Sequence, residues 1–198
     1  PGYHTTAAHE FADSDEVLQA KAAMLAAKIR ASPMVVAYCG AGLSTSSGIG
    51  DYASQAAGER SLSSGGRPRL LSGLDARPTR AHRVLTAMQA NGMLHKVVQQ
   101  NHDGLPQKAG MPQSCLNEIH GAWYDPSNPV VPMSGSLRSD LFAGLLEMEK
   151  SADLVLALGT SLSGMNADRV FDSCCARHAR GRGGGGARRG RGGRGGAT

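Results

Sequence analysis

The chain has 198 residues, with 21 lysines and arginines, 16 acidic residues, 27 glycines and a formal net charge of +5. Residues 181–198 hold five arginines, ten glycines and no acidic residue, so bases and acids balance at 16 each in the first 180 residues. The excess positive charge therefore lies in the terminal segment, so it does not indicate that the rest of the chain folds into a nucleic-acid-binding domain. Apolar runs such as residues 34–39 are far shorter than the roughly 20 residues of a membrane-spanning helix, which excludes an integral membrane protein.

The cysteines favour a reducing environment. They stand at positions 39, 115, 174 and 175 without a C-x-x-C pair. Adjacent cysteines are poorly placed to bridge each other, so neither a disulfide framework nor a zinc cluster is indicated. We therefore expect an intracellular protein, with nucleus and cytoplasm left undistinguished.

The N-terminal third predicts a helix followed by a buried strand. Asp13 and Glu16 have capping-box spacing, and apolar residues follow at helical intervals before Ser32, namely Leu18, Ala22, Leu25 and Ile29. Residues 34–39 form a short apolar run between a proline and a glycine, which is typical of a buried parallel strand. Residues 54–77 are polar and are interpreted as a long lid.

Strands and helices alternate through the rest of the chain. Thr79 is predicted to cap a helix that ends at Asn91 before Gly92. The later elements are a strand over 94–99, a short helical stretch before Ala109-Gly110, a strand over 115–119, a loop over 122–136, a helix over 138–150, a buried strand over 153–158 and a helix over 166–178. This alternation predicts an α/β fold with a Rossmann-like parallel sheet covered by helices on both faces.

Candidate binding residues follow four of the predicted strands. Gly40–Ser44 can turn tightly and approach a phosphate with free backbone amides, and Gly159–Ser161 can bind ribose or phosphate or cap a helix. Gln100–Asp103 offers amides and a carboxylate, or a hydrogen-bonded turn. His120 closes a strand and is by itself compatible with a structural role, and the seven histidines have no metal-binding pattern. In open α/β sheets, ligands bind at these strand ends.

The four segments occur in the order of known family signatures. Residues 40–52 (GAGLSTSSGIGDY) resemble the first signature of the sirtuins, the NAD-dependent protein deacylases. Residues 100–105 (QNHDGL) with Ala109-Gly110 resemble the second, residues 118–121 (EIHG) the histidine motif, and residues 159–162 (GTSL) the last ribose-contacting loop. The resemblance covers residues 34–170 and implies a sirtuin-type NAD-binding domain.

The resemblance also implies roles for individual residues. Sirtuins transfer the acyl group of an acyl-lysine to the ADP-ribose of NAD and release nicotinamide. His120 would be the base that takes a proton from a ribose hydroxyl, Asn101 would orient the ribose and a water, and Asp103 would hold the nicotinamide carboxamide. The implied NAD-binding residues are Gly40, Ala41, Gly42, Ser44, Asp51, Tyr52, Gln100, Asn101, Asp103, Gly159, Thr160 and Ser161.

The chain departs from the family pattern at three places. Ala53 stands where the first signature has an arginine, which predicts slow or altered turnover. No cysteine lies between His120 and Asp153, where most sirtuins carry four zinc ligands, so no metal is expected and the small domain should shrink to a loop over 123–137. Residues 129–135 in that loop offer an extended edge for a substrate backbone. The Arg/Gly composition of residues 181–198 predicts a C-terminally truncated sheet without its last strand.

These observations leave several functions open. The leading hypothesis is an NAD-dependent protein lysine deacylase formed by residues 1–180, with an acyl-lysine protein, histones included, as substrate. An ADP-ribosyltransferase on the same scaffold and a catalytically silent NAD or acyl-peptide binding module are the alternatives. Residues 181–198 are expected to be a disordered tail that contacts RNA weakly, or the product of a misread or truncated gene end.

Overall fold

The fold is built on a four-stranded parallel sheet. The computed structural model describes residues 12–50, 75–132, 134–162 and 166–183. In chain order the strands are β1 (Val35–Cys39), β2 (Lys96–Gln99), β3 (Leu116–Asn117) and β4 (Leu154–Leu158). Their order across the sheet is β3-β2-β1-β4, and every pairing is parallel. The predicted α/β class with a Rossmann-like parallel sheet is confirmed.

Helices cover both faces of the sheet. They are α1 (Asp15–Ala31), α2 (Arg80–Ala90), α3 (Leu105–Lys108), α4 (Ser139–Ser151) and α5 (Arg169–Gly183). Leu85 of α2 belongs to the core on one face, and Leu145 of α4 and Val170 of α5 belong to the core on the other. None of the described helices is long and apolar enough to cross a membrane.

Strand β1 is the centre of the molecule. All five of its residues have 0% exposure, because β2 and β4 flank it and a core covers each face. Successive side chains of a strand point to opposite faces. Accordingly Val35, Ala37 and Cys39 enter the core beneath α2, whereas Val36 and Tyr38 enter the core beneath α4 and α5.

Strand β4 is less buried than its sequence predicts. Its apolar run indicates a fully buried strand, yet only Leu156 is buried, at 9% exposure. Within the described residues β4 pairs with β1 alone and forms an edge of the sheet. The expectation of a buried strand is wrong, since an apolar run does not reveal the position of a strand in the sheet.

Helix α1 also differs from expectation. Its N-cap is Ser14, whose side chain accepts a hydrogen bond from the Val17 amide, whereas Asp13 forms an ion pair with Lys21 at 2.7 Å. None of the α1 residues is buried, and Leu18 is 52% exposed. The capping box predicted at Asp13 is therefore wrong, whereas Ile29 packs against the core partly buried and the helix ends before Ser32 as expected.

Other boundaries agree with the sequence more closely. Thr79 caps α2, and Gly92 follows its end with φ of 69°. The loop predicted over 122–136 contains no helix or strand among its described residues. Helix α5 continues to Gly183, three residues past the predicted domain boundary at 180. Most of the predicted lid, residues 54–74, lies outside the described residues, as do residues 184–198 of the predicted tail.

Two leucine substitutions test this packing. Leu145→Ala removes a side chain with 0% exposure and should lower the free energy of unfolding by about 2–5 kcal/mol, because a cavity remains in the core. Leu18→Ala, the matched control on exposed α1, should change it by less than about 0.5 kcal/mol. Urea denaturation measures both. A loss for Leu18→Ala as large as that for Leu145→Ala would contradict the exposed position of α1.

Candidate active site

Two glycine loops meet where β1 and β4 end. The Gly40 amide donates to the Leu158 carbonyl at 2.9 Å, and the Gly42 amide donates to the Gly159 carbonyl at 2.8 Å. Gly159 has φ of +62°, and a Cβ placed on it would lie 2.2 Å from the Leu43 nitrogen. Only glycine fits this approach. The contact lies between the central strand and β4, where the strand order reverses and α/β folds bind ligands.

The backbone amides of the first loop are largely occupied. Besides Gly40 and Gly42, the Leu43 amide donates to the Gly40 carbonyl at 3.1 Å and the Ser44 amide to the Ala41 carbonyl at 3.0 Å. The expectation of free amides for a phosphate is wrong for these four residues, because the Leu43 and Ser44 amides close the short 3₁₀ helix Ala41–Leu43 and the other two donate to the end of β4 and the residue after it. The loop contributes close backbone approach instead.

Ser44 joins the loops that follow β1 and β2. Its hydroxyl donates to Asp103 Oδ2 at 2.6 Å and accepts from Asn101 Nδ2 at 3.1 Å. Asn101 Nδ2 also donates to the Gly40 carbonyl at 2.9 Å. Ser44 is 1% and Asp103 4% exposed. Four predicted site residues thus form one hydrogen-bonded network around the buried Ser44 and Asp103 side chains.

This network fixes which atoms can face a ligand. Gly40 and Ser44 engage the Asn101 Nδ2 group, so the amide oxygen of Asn101 is the atom through which it can orient a substrate. Asp103 Oδ1 accepts from the Leu105 amide at 2.9 Å, while Oδ2 is bonded to Ser44. The Asp103 carboxylate is turned into the protein, where it organises the loop that carries Asn101.

Gln100 connects three strand ends. Its side-chain amide donates to Thr160 Oγ1 at 3.0 Å, which spans from the end of β2 to the end of β4. The backbone amide of Gln100 donates to the Cys39 carbonyl at 2.9 Å, and the backbone carbonyl of Gln100 lies 3.3 Å from His120 Nδ1. Through this one residue His120 is placed on the same sheet edge as the glycine loops.

The contact with Gln100 determines the tautomer of His120. A carbonyl oxygen only accepts hydrogen bonds, so the proton of neutral His120 lies on Nδ1 and Nε2 keeps its lone pair. Burial lowers the pKa of His120 and outweighs the hydrogen bond to Gln100, which raises it. His102 lowers it further and Asp168 opposes this, so the net direction favours a neutral imidazole that can accept a proton.

The thiol of Cys39, a nucleophile next to the site, is not activated. Cys39 ends β1 beside the site, and burial together with the Asp103 charge raises the pKa of its thiol to about 12. The thiolate is the reactive form of cysteine, so Cys39 is inert and acts as a core residue.

Sequence reasoning missed a buried support beneath the first loop. Thr79 Oγ1 donates to the Leu43 carbonyl at 3.2 Å, and His82 completes a capping box in which its Nδ1 accepts from the Thr79 amide at 3.2 Å. Burial lowers the pKa of His82, and the Asp103 charge partly opposes this shift. The T-x-x-H spacing is that of a capping box, so this signal was present in the sequence.

The segment after His120 is held on the site by its backbone. The Val131 amide donates to the His120 carbonyl at 2.9 Å, and His102 Nδ1 lies 2.9 Å from the Gly121 carbonyl. Trp123 is 51% exposed, and its ring lies 5.9 Å from that of His102. Part of the predicted substrate edge, residues 129–132, therefore lies beside the candidate base.

Most of the predicted site residues occupy one edge of the sheet. Those joined by the contacts above are Gly40, Gly42, Ser44, Gln100, Asn101, Asp103, His120, Gly159 and Thr160. Ala41 lies in the first loop and Ser161 follows Thr160. Asp51 and Tyr52, like Ala53, lie outside the described residues. The part of the chain that the structure describes contains no group of three or more histidine, cysteine or acidic side chains able to hold a metal.

The chain is similar in sequence to known sirtuins. A sequence model described as the Sir2 family matches residues 67–127. The chain is 39% identical over 118 residues to the NAD-dependent protein deacetylase Sirt6 of Drosophila melanogaster, covering 59% of this chain and 37% of that protein. It is 36% identical over 116 residues to the NAD-dependent protein deacetylase sirtuin-7 of Rattus norvegicus, covering 58% of this chain and 29% of that protein.

The matched part of the chain is similar to the sirtuins. Its fold is similar to that of a solved complex of Sir2 with a p53 peptide and NAD+, at a TM-score of 0.62 and 20% identity, covering 77% of this chain and 81% of the other. The chain spans about a third of the length of the two curated sirtuins above.

The Ser44 network can be tested by a pair of serine substitutions. Ser44→Ala leaves Asp103 Oδ2 and one Asn101 proton without their partner, so the free energy of unfolding should fall by about 1–3 kcal/mol. Ser46→Ala, at an exposed position of the same loop, should be nearly neutral. Chemical denaturation measures the difference, and equal stability of the two variants would argue against the network.

The protonation of His120 is open to direct measurement. We expect its titration midpoint to lie below the ordinary histidine value of about 6.5, because burial disfavours the charged ring. A depressed folded pKa means that this group's contribution to stability is present above the unfolded value and is lost as pH falls through the folded value. Histidine NMR titration, assigned with His120→Ala, tests this expectation. A midpoint at or above 6.5 would contradict it.

Proposed function

We propose that this protein is a sirtuin and an NAD-dependent protein lysine deacylase that transfers the acyl group to ADP-ribose and releases nicotinamide. The observation that carries the proposal is the placement of His120. Its Nδ1 faces the Gln100 carbonyl, its Nε2 is available as a base, and Gln100 also contacts Thr160 across the sheet edge. The names of the relatives, NAD-dependent protein deacetylases, support the same activity.

The described residues fit NAD as the cofactor. Gly40 and Gly42 bring backbone against Gly159 at the reversal of strand order, where a Cβ on Gly40 would lie 2.6 Å from the Gly159 oxygen. Hydroxyl and amide groups suited to ribose and diphosphate border this contact on Thr160 and Gln100. When bound, NAD supplies the ADP-ribose that accepts the acyl group and the nicotinamide that leaves.

His120 is proposed to act as the general base. Its lowered pKa keeps a large neutral fraction near pH 7, and Nε2 would take the proton of a ribose hydroxyl. The Gln100 carbonyl would hold the Nδ1 proton in place and stabilise the ring when it becomes cationic. A misoriented ring would lose both contributions.

The Ser44 network is proposed to position Asn101. The Nδ2 contacts with Gly40 and Ser44 restrain the side chain, so its oxygen would present a fixed acceptor to the ribose and a water. Asp103 would act through Ser44 and the Leu105 amide. Its inward carboxylate favours this positioning role over the direct contact with nicotinamide that the family resemblance implies.

The proposed substrate is a protein carrying an acyl-lysine, with histones as one candidate class. The p53 peptide in the similar solved complex supports a peptide as ligand. Residues 129–132, which donate the Val131 amide to the His120 carbonyl, would border the bound lysine. An intracellular location is part of the proposal and is supported by four free cysteines. RNA contact through residues 181–198 stays a prediction.

The proposal is tested with NAD and an acetyl-lysine peptide. We expect nicotinamide and deacetylated peptide in equal amounts, and a loss of at least about 100-fold in kcat for His120→Ala, because a general base contributes that much or more. His178→Ala, a histidine exposed on α5, is the matched control and should retain full activity.

The products distinguish the alternatives. Absence of nicotinamide from folded protein would contradict both enzymatic functions, and NAD binding without turnover would then favour a silent binding module. Labelling of the peptide by NAD without deacetylation would favour an ADP-ribosyltransferase. Equal losses for His178→Ala and His120→Ala would remove His120 from the mechanism.

A further inference from the structure

Tyr124 and Glu118 form a hydrogen-bonded pair beside the His120 turn. The Tyr124 hydroxyl lies 2.7 Å from both carboxylate oxygens of Glu118, and Gln113 Nε2 donates to the same carboxylate at 3.1 Å. Glu118 is 2% exposed, whereas Tyr124 is 41% exposed. A carboxylate withdrawn from water in this way depends on its donors.

Glu118 also holds the main chain on each side of the histidine. Its carbonyl accepts from the Gly121 amide at 2.9 Å and from Asn128 Nδ2 at 3.1 Å. Asn128 is 5% exposed, and its carbonyl accepts from the Ala122 amide at 2.9 Å. The Glu118 carbonyl therefore holds the turn that contains His120 through one backbone and one side-chain hydrogen bond.

Tyr124 extends from this turn to the Asp103 loop. Its ring lies against Gly104, where a Cβ would stand 2.7 Å from Tyr124 Cε1. Gly104 follows Asp103 directly and is the N-cap of α3, and Gln107 of that helix donates to the Tyr124 hydroxyl. One aromatic side chain thus touches the element after β2 and, through Glu118, the element after β3.

The chemistry of the pair suits a permanent restraint. Burial and the Glu118 carboxylate raise the pKa of Tyr124 well above its ordinary value, so the phenol keeps its proton and donates throughout the neutral range. The segment from Gly121 to Ser139 contains no cysteine, so it relies on such hydrogen bonds instead of the zinc ligands that the family resemblance would place there.

We propose that Tyr124 and Glu118 are positioning residues that keep the His120 turn and the Asp103 loop in fixed relation. The pair sets the direction of His120 and does not touch the reacting groups. The kinetic consequence rests on the proposed deacylase function. The structural consequence, the environment of the His120 ring, does not depend on that function.

The kinetic test uses two hydroxyl deletions in the same segment, one at a tyrosine and one at a serine. Tyr124→Phe keeps the ring against Gly104 and removes the hydroxyl, so kcat should fall about tenfold with KM for NAD changed by less than about twofold. Ser127→Ala removes the exposed hydroxyl that donates to Asp125 and should leave both constants unchanged. Nicotinamide release and thermal unfolding are measured for each variant.

The second test follows the His120 ring by NMR without NAD. Because burial is what lowers its pKa, loosening the turn should admit water and move the Tyr124→Phe titration upward toward the ordinary histidine value. Ser127→Ala should titrate like the unaltered protein. Should Tyr124→Phe fail to fold, Glu118→Gln replaces it, since it keeps the side-chain shape and one acceptor for Tyr124.

The two tests separate the proposals. Unaltered protein without turnover would reject the deacylase function, and the NMR titration would then decide the positioning role alone. An unchanged His120 pKa in Tyr124→Phe, or in Glu118→Gln where that variant replaces it, would overturn the positioning role. A wild-type kcat in Tyr124→Phe would overturn it as well. An upward shift of the His120 pKa together with a selective fall in kcat would support it.

Discussion

The hydrogen bond between Ser44 and Asp103 is the interaction on which the site depends. It joins the loop after the central strand to the loop after β2, at 2.6 Å and almost without exposure to solvent. Asn101 is oriented by the same hydroxyl, and Gly40 accepts the other contact of its amide. A buried charge-assisted bond is costly to break, because the carboxylate would remain withdrawn from water. The buried contacts of Ser44 and Asp103 therefore determine the orientation of the Asn101 side chain that faces the ligand.

That packing continues into the core through His82. Its Nδ1 accepts from the Thr79 amide, so the neutral ring carries its proton on Nε2, and Thr79 in turn donates to the Leu43 carbonyl of the first loop. Burial lowers the pKa of His82 while Asp103 raises it, which places the two side chains in one electrostatic environment. The start of α2 is thus hydrogen-bonded to the glycine loop, and Ser44 of that loop is hydrogen-bonded to the Asp103 carboxylate.

The sequence predicted the parts of the site that local chemistry determines. The close backbone contact at Gly159 requires glycines after β1 and β4. Thr79 is the N-cap residue from which the start of α2 was predicted. The exposure of Leu18 and the edge position of β4 were missed. Hydrophobic periodicity predicts which residues share a face of an element, but it does not show whether another element packs against that face. The Tyr124–Glu118 pair was missed for the same reason, since its residues make sense only when the segment folds back on β3.

The placement of His120 shows why these long-range contacts matter for function. A histidine at a strand end becomes a directed base only when one nitrogen is engaged and the other is left available. Here the Gln100 carbonyl engages Nδ1, and the Val131 amide holds the His120 carbonyl. Both contacts come from segments distant in sequence, and Glu118 anchors the turn between them. The motif supplies the imidazole, but its direction and its lowered pKa are properties of the assembled sheet edge.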